Sequence, residues 1–227
     1  MIKFVAFDMD GTLVDVTSSW HFVHEHFGES NEEALELFVH DQIDDEEFLK
    51  RDLSLWWKHK PDLTVFDLEE VLASVPLMPG CRELFDGLHA RRVMTAIISG
   101  GIDVLAKRIG RELGVDYVLA NGFRTDASGR LTGQGLIRVP IKHKRAVLEQ
   151  VQAQLGFEVA DTASVGNSDI DVGLFERSRI GIAFRPADEP VRRRATHVVP
   201  GPDMRPILDL LRPDLPPVVR GPVGQAF

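Results

Sequence analysis

Ile2-Lys3-Phe4-Val5-Ala6-Phe7 runs straight into Asp8-Met9-Asp10-Gly11-Thr12-Leu13. An apolar stretch of strand length ends abruptly in two carboxylates two residues apart, followed by a glycine. Carboxylates at the end of a buried strand carry a desolvation cost unless a cation or a reaction uses them. The arrangement suits metal-assisted attack on phosphate, and later stretches of the chain supply the other parts that chemistry needs.

Residues 77–211 alternate short apolar runs with helical patterns, the signature of a parallel α/β sheet. Strands are predicted over 93–98, 116–120, 162–165, 180–184 and 197–199, with helices over 102–113 and 144–155. Residues 123–126 and 130–136 flank Ala127-Ser128-Gly129 and read as a hairpin. Residues 15–76 differ: they hold all three tryptophans and read as four short helices. The first is capped by Ser18 or Ser19, with Trp20, Val23 and Phe27 inward, and ends at Gly28. The second follows Asn31 with Leu35, Phe38 and Val39 inward. The third follows Asp44 and carries Phe48, Leu49, Leu53 and Trp56, and the fourth follows Asp67. Helices inserted after the first strand cannot join the sheet. The expected division is therefore a core of 1–14 and 77–211, a small helical cap of 15–76, and a loose Pro-rich tail of 212–227.

A chain of 227 residues with 44% hydrophobic composition can build one large domain, or a core with a smaller inserted module. Its formal charge of −9, with no long basic stretch, argues against nucleic acid as a partner. Arg192-Arg193-Arg194 reads as a solvated helix face. Cys81 is the single cysteine, which rules out an intrachain disulfide and fits a reducing compartment. It follows Pro79-Gly80 near a helix start and reads as a structural thiol. The amino terminus lacks a signal-peptide pattern and no apolar run approaches the ~20 residues that span a bilayer. A soluble cytoplasmic protein without a membrane partner is the expectation.

Three polar clusters close predicted parallel strands: Asp8 with Asp10, Ser99-Gly100-Gly101, and Gly166-Asn167-Ser168-Asp169-Ile170-Asp171. Ligands of open parallel sheets bind outside the carboxyl ends of the strands, so one sheet can gather all three. Cleaving a phosphate ester calls for an ionised nucleophile, a second carboxyl to shuttle a proton, donors for the phosphoryl oxygens and a cation. Asp8 and Asp10 fit the first two roles. Ser99, the Gly100 and Gly101 amides and Lys144 at a helix start can donate. Asp8, a backbone carbonyl near Asp10 and Asn167 offer hard oxygens to Mg²⁺.

With these residues in order, the chain resembles the haloacid dehalogenase superfamily, in its phosphoserine phosphatase-like branch. Asp8-Met9-Asp10-Gly11-Thr12-Leu13-Val14 resembles the first motif, Ser99-Gly100-Gly101 the second, Lys144 the third, and Gly166-Asn167-Ser168 with Asp171 the fourth. The resemblance covers residues 1 to about 200. It implies a three-layer Rossmann-like parallel core with an inserted helical cap, and a Mg²⁺-dependent phosphatase of a small phosphorylated metabolite. It further implies that Asp8 is the nucleophile and Asp10 the general acid and base. Ser99, Gly100 and Lys144 would hold the phosphoryl group. Asp8, the Asp10 carbonyl and Asn167 would bind the metal, with Asp171 supporting its water shell. Two features depart from the family. Asn167 stands where an aspartate is usual, which implies weaker metal binding. Asp15-Val16-Thr17-Ser18-Ser19-Trp20 lacks the cap glutamate that phosphoserine phosphatases use for the substrate amino group. Arg51 sits near where those enzymes place a carboxylate-binding arginine, and it reads equally as a surface charge. Two further readings keep the same residues: phosphoryl transfer to an acceptor alcohol, and a non-catalytic binding module.

His21 and His24, one helical turn apart, read as a helix surface rather than a metal pair. Trp56 and Trp57 read as cap core beside the alternative of a substrate entrance.

Overall fold

The computed structural model describes residues 1–219. Strand β1 (Phe4–Phe7) leads into four helices, α1 (Ser19–Phe27), α2 (Glu32–Val39), α3 (Asp45–Trp57) and α4 (Val65–Leu72). Helix α5 (Cys81–His89), β2 (Met94–Ile102), α6 (Asp103–Leu113) and the antiparallel pair β3 (Tyr117–Thr125) and β4 (Leu131–Leu136) follow. The chain continues with α7 (Lys144–Leu155), β5 (Thr162–Gly166), α8 (Val172–Phe175), β6 (Ile180–Phe184), α9 (Glu189–Arg194), β7 (His197–Val199) and α10 (Arg205–Leu211). The seven strands form one sheet in the order β4-β3-β2-β1-β5-β6-β7, parallel except at β4.

Alternate residues of β1 serve opposite layers. Phe7 meets Phe85 of α5, with ring centroids 4.9 Å apart, and Phe4 stacks on Phe157 after α7 at 5.1 Å. Both faces of the strand are covered, so its run is apolar without alternation. The chain winds from β1 through β2 to β4 on one side and then resumes at β5 on the other. Phe7 pairs with Ile97 of β2 and with Val165 of β5. That register brings the residues following all three strands to one crevice, beside the point where the winding reverses.

Helices α1–α4 lie over that end. Trp20 of α1 stacks on Trp56 of α3 at 5.9 Å, and both meet the edge of Phe123 in β3. Trp57 rests against Gly133 of β4, where a Cβ would lie 2.6 Å from the indole. Ser18 caps α1 by accepting from the His21 amide. Thr64 and Asp67 form a reciprocal capping box, which starts α4 two residues before Asp67 rather than after it.

Some expectations need correction. Strands predicted over 116–120 and 123–126 are one strand, β3, because Asn121 pairs with Ile102 of β2 and Gly122 with Leu136 of β4. Ser99-Gly100-Gly101 does not follow the strand predicted over 93–98 but lies within the observed strand; β2 continues to Ile102 with a register shift between Ser99 and Ile102. Leu35 and Val39 point outward, 50% and 58% exposed. The eight-residue α2 meets its neighbours along one stripe, Ala34 and Phe38, with Phe38 stacked on Phe48 at 4.8 Å. His24 is not a surface residue but 3% exposed, bonded to Asp52 and Trp56; His21 does lie outside, beside Glu25. The segment from 212 is held as far as it is described. The Asp214 carbonyl accepts from the Ile2 amide, Leu215 is buried, and the Val219 amide donates to Ala90. The remainder of the predicted loose tail, 220–227, lies outside the described residues. Arg192, Arg193 and Arg194 form the last turn of α9, where positive charge suits the helix carboxyl end. Burial pushes the Cys81 thiol up to about 12, in keeping with a structural role.

Candidate active site

Asp8 leaves β1 with its amide bonded to the Val165 carbonyl and its side chain buried. Its Oδ1 accepts from Lys144 Nζ at 2.7 Å and its Oδ2 from Thr12 Oγ1 at 3.3 Å. Lys144 opens α7 and is 1% exposed; its ammonium also donates to Asp171 Oδ1 at 2.6 Å. Lys142 turns the other way and closes the carboxyl end of α2 through the Phe38 and Val39 carbonyls and Asp41. His143 is exposed.

Asp171 spends its other oxygen on the loop after β5. Oδ2 accepts from the Asn167 amide at 2.9 Å, the Ser168 amide at 3.1 Å and Ser168 Oγ at 3.3 Å. With both oxygens engaged, Asp171 shapes this loop and orients Lys144 rather than presenting a free ligand to a metal. The Asn167 side chain packs over the Asp10–Gly11 backbone. A Cβ at Gly11 would lie 2.2 Å from Asn167 Nδ2, and Gly11 holds φ +73°. Glycine is therefore required there on both counts.

Asp10 is fixed on one side only. Its Oδ2 accepts from the Ser19 amide at 2.8 Å and from Ser19 Oγ at 2.7 Å, while Oδ1 is buried without a hydrogen-bond partner. The bulge of β2 closes over this carboxylate. A Cβ at Gly101 would fall 2.6 Å from Asp10 Oδ2 and 2.8 Å from Ser19 Oγ. Ser99 is buried and its Oγ accepts from the Gly101 amide at 3.1 Å. The Gly100 carbonyl accepts from Trp20 Nε1 at 2.9 Å, and Asn121 Nδ2 lies 3.4 Å from the same oxygen.

Burial dominates the electrostatics. Desolvation, reinforced by Asp171 and opposed by Lys144, raises Asp8 to about 6. Desolvation raises Asp10 to about 7 against the Ser19 hydrogen bonds. The two flanking carboxylates outweigh desolvation at Lys144 and hold it above the usual lysine range. Asp8, Asp10 and Asp171 thus face one ammonium, and the pocket has an excess of negative charge.

That excess and the hard-oxygen donors fit a small divalent cation. Among the described residues, no group of three His, Cys, Asp or Glu side chains is set to hold a metal ion. A cation here would be held by the Asp8 carboxylate with neutral oxygens, the Asn167 amide and the Asp10 carbonyl. Arg51 is not part of the cluster; its Nε donates to Glu47 Oε1 at 3.0 Å on the half-exposed side of α3.

Thr12, Ser19 and Trp20 join the site without having been singled out for it in the sequence. Ser18-Ser19 reads as a choice between two caps for one helix. The local signal was the surplus serine: Ser18 serves α1, which leaves the Ser19 hydroxyl for Asp10.

The chain is similar to known proteins along most of its length. The model of the haloacid dehalogenase-like hydrolase family matches residues 5–176. The chain is 28% identical over 216 residues to the phosphoserine phosphatase of Methanocaldococcus jannaschii, covering 92% of this chain and 98% of that one. It is 32% identical over 144 residues to the phosphoserine phosphatase of Streptococcus thermophilus, covering 63% and 66%. A solved substrate-bound phosphoserine phosphatase complex superposes with a TM-score of 0.77 at 25% identity, covering 92% of this chain and 98% of that one. A phospho-aspartyl intermediate analogue of phosphoserine phosphatase gives 0.75 at 26% identity, with the same coverage.

Proposed function

We propose that this chain, which belongs to the haloacid dehalogenase-like hydrolases and to their phosphoserine phosphatase-like branch, hydrolyses a small phosphorylated metabolite with Mg²⁺ through an aspartyl-phosphate at Asp8. Membership makes it a phosphatase; the residue roles, the ion and the intermediate are the proposal. The observation that carries it is the shared ammonium: Lys144 Nζ lies within 2.7 Å of Asp8 and 2.6 Å of Asp171, beside a second carboxylate with one free oxygen.

Asp8 attacks phosphorus, and the P–O bond to the alcohol breaks as the acyl-phosphate bond between Asp8 and phosphorus forms. Asp10 gives its proton to the departing oxygen through the unpartnered Oδ1, then takes one from the water that cleaves the acyl phosphate. A raised Asp10 can hold that proton near neutral pH. Lys144, the Ser99 hydroxyl and the Gly100 amide neutralise the equatorial phosphoryl oxygens, the Gly101 and Ile102 amides being engaged by Ser99 and Ser19. Mg²⁺, held by Asp8, Asn167 and the Asp10 carbonyl, would offset the charge between an anionic nucleophile and an anionic ester and keep Asp8 ionised.

Several relatives are named phosphoserine phosphatases, yet the segment after the first motif has no glutamate and Arg51 is paired with Glu47. The proposal therefore names a small phosphomonoester and puts phosphoserine first among candidates to assay. The test is Mg²⁺-dependent release of phosphate from an aryl phosphate and from a panel of phosphorylated metabolites. Asp8→Asn is expected to abolish release while the circular dichroism spectrum is kept. Turnover by Asp8→Asn above background overturns the assignment of the nucleophile.

A further inference from the structure

Resting on the reading above, we infer that Ser19 is a positioning residue for Asp10, locking one carboxylate oxygen so that the other is the one presented to the leaving group. Ser19 Oγ accepts the Ile102 amide at 2.9 Å, so its own proton is directed to Asp10 Oδ2 at 2.7 Å. The Ser19 amide adds a second donor to the same oxygen at 2.8 Å. An oxygen that receives two donors is a poor place for a further proton. The transferable proton belongs on Oδ1, which is buried and has no other partner.

The hydroxyl is not spent on the start of the helix. Ser18, not Ser19, caps α1. Gly101 is bare where any side chain would strike both Asp10 Oδ2 and Ser19 Oγ. The next residue, Trp20, holds the Gly100 carbonyl at 2.9 Å. Two consecutive residues at the start of the inserted helices therefore span the proton-transferring carboxylate and the phosphate-binding bulge. Without Ser19 Oγ, the Asp10 carboxylate keeps a single donor and can turn about its Cβ–Cγ bond, and the Ile102 amide loses its acceptor.

Leaving groups separate this role from a structural one. Expelling a basic alkoxide needs the proton from Asp10; expelling a stabilised aryloxide needs it far less. The measurement is kcat/KM, which ends at the step that releases the alcohol, for 4-nitrophenyl phosphate and for the best alkyl phosphate found in a panel. Ser19→Ala is expected to lose about tenfold or more on the alkyl ester and less than about threefold on the aryl ester. Ser19→Thr, which keeps the hydroxyl, is expected to recover the alkyl rate. Thermal unfolding checks that both variants fold. Should Ser19→Ala fail to fold, Ser19→Cys, of similar size and with a weak donor, provides the same comparison. Equal losses on the two esters overturn the inference and leave the phosphatase assignment standing. A wild-type protein with no Mg²⁺-dependent activity overturns both.

Discussion

Lys144 Nζ lies 2.7 Å from Asp8 Oδ1 although 136 residues separate them in sequence. The pair is buried, and Lys144 also serves Asp171. Removing the ammonium would leave two buried carboxylates without a counter-charge, and such a loss costs roughly 3–5 kcal/mol. Lys144→Ala is expected to lower stability by about that amount and to abolish turnover. Denaturant unfolding and phosphate release measure the two effects. Unchanged stability would mean that the lysine is not the counter-charge of this pocket.

Asn167 presents a neutral amide where its carboxylate analogue would add charge to the cation site. Asn167→Asp is expected to lower the Mg²⁺ concentration for half-maximal activity by about tenfold, equivalent to ~1.4 kcal/mol. A Mg²⁺ titration of initial rates checks this. An unmoved midpoint removes Asn167 from the ligand set.

The metal-free protein should lose stability as pH rises from about 5 to 8. Burial raises Asp8 to about 6 and Asp10 to about 7, from 3.8. The folded state therefore favours their protonated forms. Their contribution is complete below about pH 4, declines above it and is gone once pH has passed about 6 for Asp8 and about 7 for Asp10; a few kcal/mol of that decline falls inside this window. The exposed carboxylates Asp41 and Asp126 and the partly buried Asp161 shift the other way, and their gain is complete before this window opens. Urea unfolding in chelator at both pH values should show the decline. Asp10→Asn should flatten it, and saturating Mg²⁺ should oppose it. A decline of equal slope in Asp10→Asn assigns it elsewhere.

How much of this was legible beforehand depends on how local each signal is. The polar clusters at Asp8, Ser99 and Gly166 follow from apolar runs that stop in small polar residues, and parallel pairing carries them to one edge. That Lys144 rather than Lys142 turns inward is consistent with its place at the start of α7, where the side chain projects back toward the sheet. The role of Ser19 depends on Ile102 and Asp10 meeting across 83 and 9 residues, which no local pattern encodes. The outward turn of Leu35 and Val39 was hidden for a related reason: an eight-residue helix satisfies several apolar stripes, and only the neighbouring Phe48 selects one.

The Trp20 indole isolates the contribution of the inserted helices to phosphate binding. Its ring packs on Trp56 and Phe123, and its Nε1 donates to the Gly100 carbonyl. Trp20→Phe keeps an aromatic ring in the stack and deletes the donor. The Gly100 carbonyl then retains only the 3.4 Å contact from Asn121 Nδ2. One net hydrogen bond is worth about 1 kcal/mol, so the stability loss should be small. The larger effect is expected on the bulge, whose Gly100 amide faces the phosphoryl oxygens in the proposed reaction. Inhibition by inorganic phosphate should weaken several-fold, with KM rising alongside it. Trp20→Leu, which disrupts the stack as well, should lose further stability. If Trp20→Phe binds inorganic phosphate as tightly as the parent, the indole bond only anchors α1, and the bulge holds its shape through Ser99 and Asn121 alone.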